Sequence, residues 1–116
     1  MITAYTINLA HRTDRFEHIN SEVQKLNLHE FHVIEGIVDE TKTCFQSQKK
    51  CIQLAKDNSL PYVLVLEDDA VFVENAQEYF DISFNEVNQL DWDMFFLGAN
   101  LQAPAKRITP NLLKLN

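Results

Sequence analysis

Tyr62-Val63-Leu64-Val65-Leu66-Glu67-Asp68-Asp69 is the stretch on which the fold is read. An unbroken apolar run with β-branched members suits a central strand covered on both faces, as in a parallel sheet. Three carboxylates follow it directly. Adjacent carboxylates repel one another, and a strand end leaves the first of them little solvent. Such a cluster costs stability unless a cation neutralises it. Hard divalent cations take oxygen ligands, and Mg²⁺ typically uses one or two carboxylates plus substrate phosphates. On an extended backbone Glu67 and Asp69 point to one side and Asp68 to the other. One or two of them can then share an ion while another orients a ligand or water. The alternative is a solvated turn beside a helix cap.

Outward from this run, strands and helices alternate. Ile2 to Leu9 reads as a first strand, rich in Thr, Tyr and Ile. Thr13 is the expected cap of a helix whose stripe is Phe16, Ile19, Val23 and Leu26. Glu30 to Ile34 is a second strand, and residues 36–42 form a polar loop. A second helix is expected from about Thr43 to Asn58, stopped before Pro61. Its inward face reads as Cys44, Gln48, Cys51 and Ala55, widened by Phe45, Ile52 and Leu54. Ala70 to Val73 is a short extended piece. A third helix, about Asn75 to Leu90, carries Ala76, Phe80, Phe84, Val87 and Leu90 on one side. Trp92 to Leu97 is expected as a fourth strand, closed by Gly98, and residues 99–116 as a loop or edge-strand tail. The alternation predicts an α/β fold, a mainly parallel sheet flanked by helices, forming one domain over 1–116 with its core in 1–98. Ligands of such sheets bind outside the carboxyl ends of the strands. The acidic triplet and Ala10 to Asp14 both lie there.

The composition is that of an ordinary globular domain: 46% hydrophobic, 23% charged, with only two Gly and three Pro. A net charge of −7 argues against a nucleic-acid partner. It still permits a nucleotide sugar where a bound cation reverses the local sign. No apolar run approaches the roughly 20 residues needed to span a bilayer. No basic segment precedes the first strand, so the chain reads as cytoplasmic, with at most peripheral membrane association. Cys44 and Cys51 are seven apart on one expected helix, roughly 10 Å at about 1.5 Å per residue, too far for a disulfide. They read as reduced structural thiols.

Three ordered motifs then resemble a known family. Tyr5-Thr6-Ile7-Asn8-Leu9 followed by Arg12-Thr13-Asp14-Arg15 is similar to the opening of glycosyltransferase family 25, the lipooligosaccharide galactosyltransferases and their collagen-modifying relatives. Cys44-Phe45-Gln46-Ser47 resembles the family's Gly-Cys-x-x-Ser-His segment, and Leu66-Glu67-Asp68-Asp69-Ala70 its Leu-Glu-Asp-Asp-Ala core. Trp92-Asp93 with Leu97-Gly98 resembles the strand after it.

The resemblance implies a GT-A-like (Rossmann-like) fold, a nucleotide-sugar donor such as UDP-galactose, a Mn²⁺ or Mg²⁺ ion, and a lipooligosaccharide or other surface glycan as acceptor. It places Asn8, Arg12, Arg15, Ser47 and Asp68 on the nucleotide side and Glu67 and Asp69 at the metal. Arginine suits diphosphate oxygens because its fork binds them bidentately. Each residue has a plainer reading. Arg12 and Arg15 can be surface charges, Asp14 a helix cap, Asn8 a strand-end hydrogen bonder, Ser47 a hydroxyl bonded within its own helix, and Trp92 core.

Two departures stand out. Thr43 occupies the family's Gly position, and Gln48 its His position, where Gln cannot shuttle a proton near neutral pH. The family also continues well past the equivalent of Gly98, so the chain is expected to be truncated, holding the donor-binding part. Asp93 is the local candidate for the general base that an inverting transfer requires. Binding without turnover, and a non-catalytic module that forms a homo-oligomer through its uncovered apolar surface, are the competing expectations.

Overall fold

The computed structural model describes residues 2–37, 43–98 and 105–114, with side chains from Phe45 onward in the second segment. The expected loop over 36–42 and the tail after Gly98 lie partly outside these residues, as does the Cys44 side chain. The described chain forms two compact units, residues 1–74 and 75–116.

The first unit is built on β1 (Ile2–Asn8), buried along nearly its whole length. It is followed by α1 (Thr13–Glu22), a 3-10 turn (Val23–Lys25), β2 (Leu28–Glu35), α2 (Thr43–Asp57) and β3 (Leu64–Glu67). The sheet order is β2-β1-β3, and both pairings are parallel. Parallel neighbours require crossovers, and α1 and α2 supply them. The expected α/β class with a parallel sheet flanked by helices is the observed one.

Each face of the sheet has its own cluster. Ala4 and Leu66 pack with Ile19 and Val23 of the α1 segment, joined by Phe31, Leu64, Ala70 and Phe72. Tyr5 packs with Cys51 and Ala55 of α2, joined by Ile7, Ile34, Leu54, Leu60 and Val65. Alternation along β1 sends Ala4 to one cluster and Tyr5 to the other. The buried Thr6 hydroxyl is satisfied by donating to the Leu66 carbonyl across β1–β3, at 3.0 Å. A bond of this kind contributes about 1 kcal/mol net.

Several details differ from expectation. Leu64 to Glu67 is not the central strand: β1 is, and β3 pairs with β1 alone among the described residues. Its alternate residues do reach both clusters, but Tyr62 is exposed and precedes the strand. The inward face of α2 is Ser47, Cys51, Leu54 and Ala55. Gln48, Phe45 and Ile52 are exposed. The helix is rotated because spacings of four and seven from Ser47 put Cys51 and Leu54 on one side. Thr13 is the first residue of α1 rather than its cap. Arg12 holds the cap position, with no side-chain cap bond, and its carbonyl accepts from Phe16 N–H at 3.1 Å. Phe16, expected in the stripe, is 39% exposed. Among the described residues Ala70 to Val73 pairs with no strand. Cys51 is free and buried, and desolvation raises its thiol pKa, as suits an inert structural thiol.

The second unit holds α3 (Ala76–Val87), β4 (Lys106–Thr109) and β5 (Leu112–Lys114), the last two an antiparallel hairpin. Trp92 to Leu97 is not a strand. Its aromatics instead continue a chain begun on α3. Phe80 stacks on Phe84, Phe84 meets Trp92 edge-on, and Trp92 meets Phe95 in the same way. The tail forms a hairpin of its own rather than an edge strand. Among the described residues no helix is long and apolar enough to cross a membrane.

The end of α2 shows how the backbone is shaped before β3. Ser59 sits at φ 56°, the left-handed region. Leu60 N–H reaches Ala55 O at 2.9 Å, and Ser59 N–H reaches Lys56 O at 3.0 Å. This is the Schellman arrangement, which glycine adopts without strain. Ser59→Gly is therefore expected to stabilise the fold by about 0.5–1 kcal/mol, or roughly 2–4 °C in Tm. A thermal melt followed by circular dichroism checks this, and a lower Tm would contradict it.

Candidate functional site

Both β1 and β3 run in the same direction, so their carboxyl ends meet at one edge of the sheet. β2 lies on one side of β1 and β3 on the other, which makes the β1/β3 boundary the place where strand order reverses. Crevices form there because the flanking crossovers diverge to opposite faces. An open cleft of about 280 Å³ occupies this position, lined by Ile7, Leu9, Arg12, Arg15, Gly36, Ser47, Glu67, Asp68 and Asp69.

The acidic triplet forms a turn rather than an extended strand end. Only Glu67 belongs to β3, and Ala70 N–H closes the turn on Glu67 O at 3.1 Å. Exposure alternates as expected, but with the solvent reversed at the first position. Glu67 and Asp69 are exposed, while Asp68 is 8% exposed and turned inward. Both Asp68 oxygens are engaged. Asn8 Nδ2 donates to Oδ2 at 2.9 Å, and Arg15 Nη1 donates to Oδ1 at 3.3 Å. The second Asn8 amide hydrogen reaches the Arg12 carbonyl at 3.3 Å. Asn8 thus ties the loop after β1 to the acidic turn.

Arg12 extends from the loop that starts α1. Its Nε and Nη2 donate to the two Asp14 oxygens at 3.1 and 3.0 Å, a bidentate pair. Asp14 is held down to about 2, first by this bond and then by nearby backbone N–H groups, and Arg12 is raised by the same bond. Arg12 also feels the Asp68 charge. Ser47 is fully buried on α2, and its hydroxyl accepts from Ile37 N–H at 2.9 Å. It therefore fixes the chain leaving Gly36.

The structure thus brings together Asn8, Arg12, Arg15, Ser47, Glu67, Asp68 and Asp69, all within the first unit. Asp93 is exposed and belongs to the second unit. Sequence reasoning passed over Leu9 and Gly36. A Cβ on Gly36 would come within 2.9 Å of Leu9 Cδ2, so the glycine admits the leucine side chain into the wall.

The family model described as glycosyltransferase family 25 (LPS biosynthesis protein) matches residues 39–115. The chain belongs to glycosyltransferase family 25. No curated protein and no solved structure matches it. The family match takes in Ser47, the acidic turn and Asp93, whereas Asn8, Arg12 and Arg15 precede it. The α/β architecture is compatible with a Rossmann-like glycosyltransferase fold.

The Arg12–Asp14 pair gives a pH expectation. Asp14 has a folded pKa of about 2, below its unfolded value of about 3.9. Its contribution to stability is present above the unfolded value and is lost as pH falls towards about 2. Carboxyl NMR titration of Asp14 should show the depressed midpoint, and Arg12→Ala should return it most of the way to about 3.9. An unshifted midpoint in the parent protein would refute the pairing.

Proposed function

We propose that this family 25 chain binds a nucleotide-sugar donor, UDP-galactose by resemblance, in the β1/β3 cleft and transfers its sugar to a lipooligosaccharide or similar surface glycan. The observation that carries the proposal is that Arg12 and Arg15 share one cleft with Glu67 and Asp69. Cationic forks suited to phosphate oxygens then stand beside oxygen donors suited to a hard cation. At about 280 Å³ the cleft is at the small end of ligand pockets, a size for the diphosphate end of the donor.

The donor set fits Mn²⁺ or Mg²⁺. Glu67 and Asp69 are exposed carboxylates on the same cleft, and Asp68 is engaged elsewhere. Among the described residues no three His, Cys, Asp or Glu side chains form a closed metal cage. Mg²⁺-type sites are commonly completed by substrate phosphates and water instead. Glu67 and Asp69 would hold the ion, which when bound supplies Lewis-acid stabilisation of the leaving diphosphate. The protein's own part is positioning. Asp68 anchors the turn through Asn8 and Arg15. The loop starting α1 presents Arg12. Ile7 and Leu9 give the cleft an apolar wall.

A second reading, donor binding without turnover, is favoured by one observation: among the described residues, the carboxylates that line the cleft are those of the acidic turn. UDP release in the presence of UDP-sugars, Mn²⁺ and a lipooligosaccharide acceptor separates the two readings. For the donor site itself, Asp69→Ala is expected to weaken Mn²⁺-dependent UDP binding by on the order of tenfold or more, about 1.4 kcal/mol, with unchanged Tm because Asp69 is exposed. Calorimetry measures this. Equal affinity in wild type and variant, with or without chelator, would remove Asp69 from the site.

A further inference from the structure

The acidic turn has two ends, and they are held by different means. Upstream, β3 is hydrogen-bonded to β1, with Ile7 opposite Glu67. Downstream, residues 70–73 have no strand partner among the described residues. The Ala70 carbonyl and both backbone groups of Phe72 are nonetheless satisfied, by side chains of the α1 segment. His18 Nε2 donates to the Ala70 carbonyl at 2.8 Å, since a carbonyl oxygen can only accept. Glu22 Oε2 accepts from Phe72 N–H at 3.0 Å, and Lys25 Nζ donates to the Phe72 carbonyl at 2.8 Å. Glu22 and Lys25 are themselves paired at 3.0 Å.

His18, Glu22 and Lys25 are spaced four and three apart, the spacing of one helix face. A side-chain ladder therefore replaces the missing strand. It is backed by packing, because Ala70 and Phe72 join Ile19 and Val23 in the core. The same helix sends Arg15 to Asp68. Glu22 is kept charged by the bond from Phe72 N–H first and by Lys25 second, both of which lower its pKa.

We infer that His18, Glu22 and Lys25 are positioning residues: through Ala70 and Phe72 they set where Asp69 presents its carboxylate to the cleft. The inference rests on the donor-site reading for its ligand consequence, but its geometric content is independent of it. Without the ladder, the segment after Ala70 is left to packing, and the turn keeps its Ala70 N–H bond to Glu67 O but loses its anchor to α1. Carboxylates that must share an ion with phosphate oxygens tolerate little such freedom.

The test compares Glu22→Ala, Glu22→Gln and Leu60→Ala in the full chain. Glutamine keeps an oxygen for Phe72 N–H. Leu60→Ala removes packing in the other cluster and controls for general destabilisation. Calorimetry with UDP and Mn²⁺ should show affinity reduced about tenfold in Glu22→Ala, within about threefold of wild type in Glu22→Gln, and unchanged in Leu60→Ala. Hydrogen exchange gives the ligand-free readout. The Ala70 and Phe72 amides should exchange about tenfold faster in Glu22→Ala than in wild type, with β1 amides unaffected. If wild type binds no UDP, the donor-site reading falls, and the exchange rates still decide the positioning role. Unchanged Ala70 and Phe72 exchange in Glu22→Ala overturns the inference, as does a loss of affinity matched by Leu60→Ala.

Discussion

A single amide group, that of Asn8, joins the parts from which the cleft is made. It sits at the buried end of β1 and spends one hydrogen on the Arg12 carbonyl and the other on the Asp68 carboxylate. The first bond shapes the loop that starts α1, and the second draws the acidic turn against it. A buried carboxylate without donors would be costly, and Asp68 is tolerated because Asn8 and Arg15 occupy both its oxygens. Leucine or alanine at position 8 would strand that charge. An aspartate there would add a second charge facing the first.

This arrangement divides labour within the triplet. Inward-facing Asp68 holds the turn, and outward-facing Glu67 and Asp69 are the pair proposed to hold the ion. Among the described residues Arg12 and Arg15 line the cleft with Glu67, Asp68 and Asp69, and Arg12 is also paired with Asp14. A diphosphate alone would meet carboxylates of its own sign. A cation alone would meet the arginines. The two together complement both sets, which is the electrostatic reason a metal–nucleotide pair is the proposed occupant.

Much of this was legible in the residues. The alternation of strand and helix signals located β1, α1, β2 and α2 closely, and the apolar run before Glu67 marked a strand end at a cleft. Periodicity failed where tertiary partners decide. The run over 62–66 looks central because both its faces are apolar, yet among the described residues it pairs with β1 alone. Trp92 to Leu97 has strand-like composition, but aromatic stacking on Phe84 offers those side chains another burial. The rotation of α2 turned on Ser47, whose small hydroxyl can be buried because it meets Ile37 N–H, a bond no local pattern announces. The His18, Glu22 and Lys25 ladder was hidden for the same reason: its partners are backbone atoms some 50 residues away.

That separation also governs how the site comes into being. Asn8 and Asp68 are 60 residues apart in the chain. Closing a loop of that length costs about 3–4 kcal/mol of chain entropy before any contact is gained. Topologies dominated by such distant parallel pairings fold slowly. α1 and α2 can form their first turns locally, whereas the acidic turn acquires its anchors only when β3 docks on β1. During synthesis, the amide that organises the cleft leaves the ribosome long before the carboxylate it holds, and β1 waits with one long edge unpaired until β3 arrives.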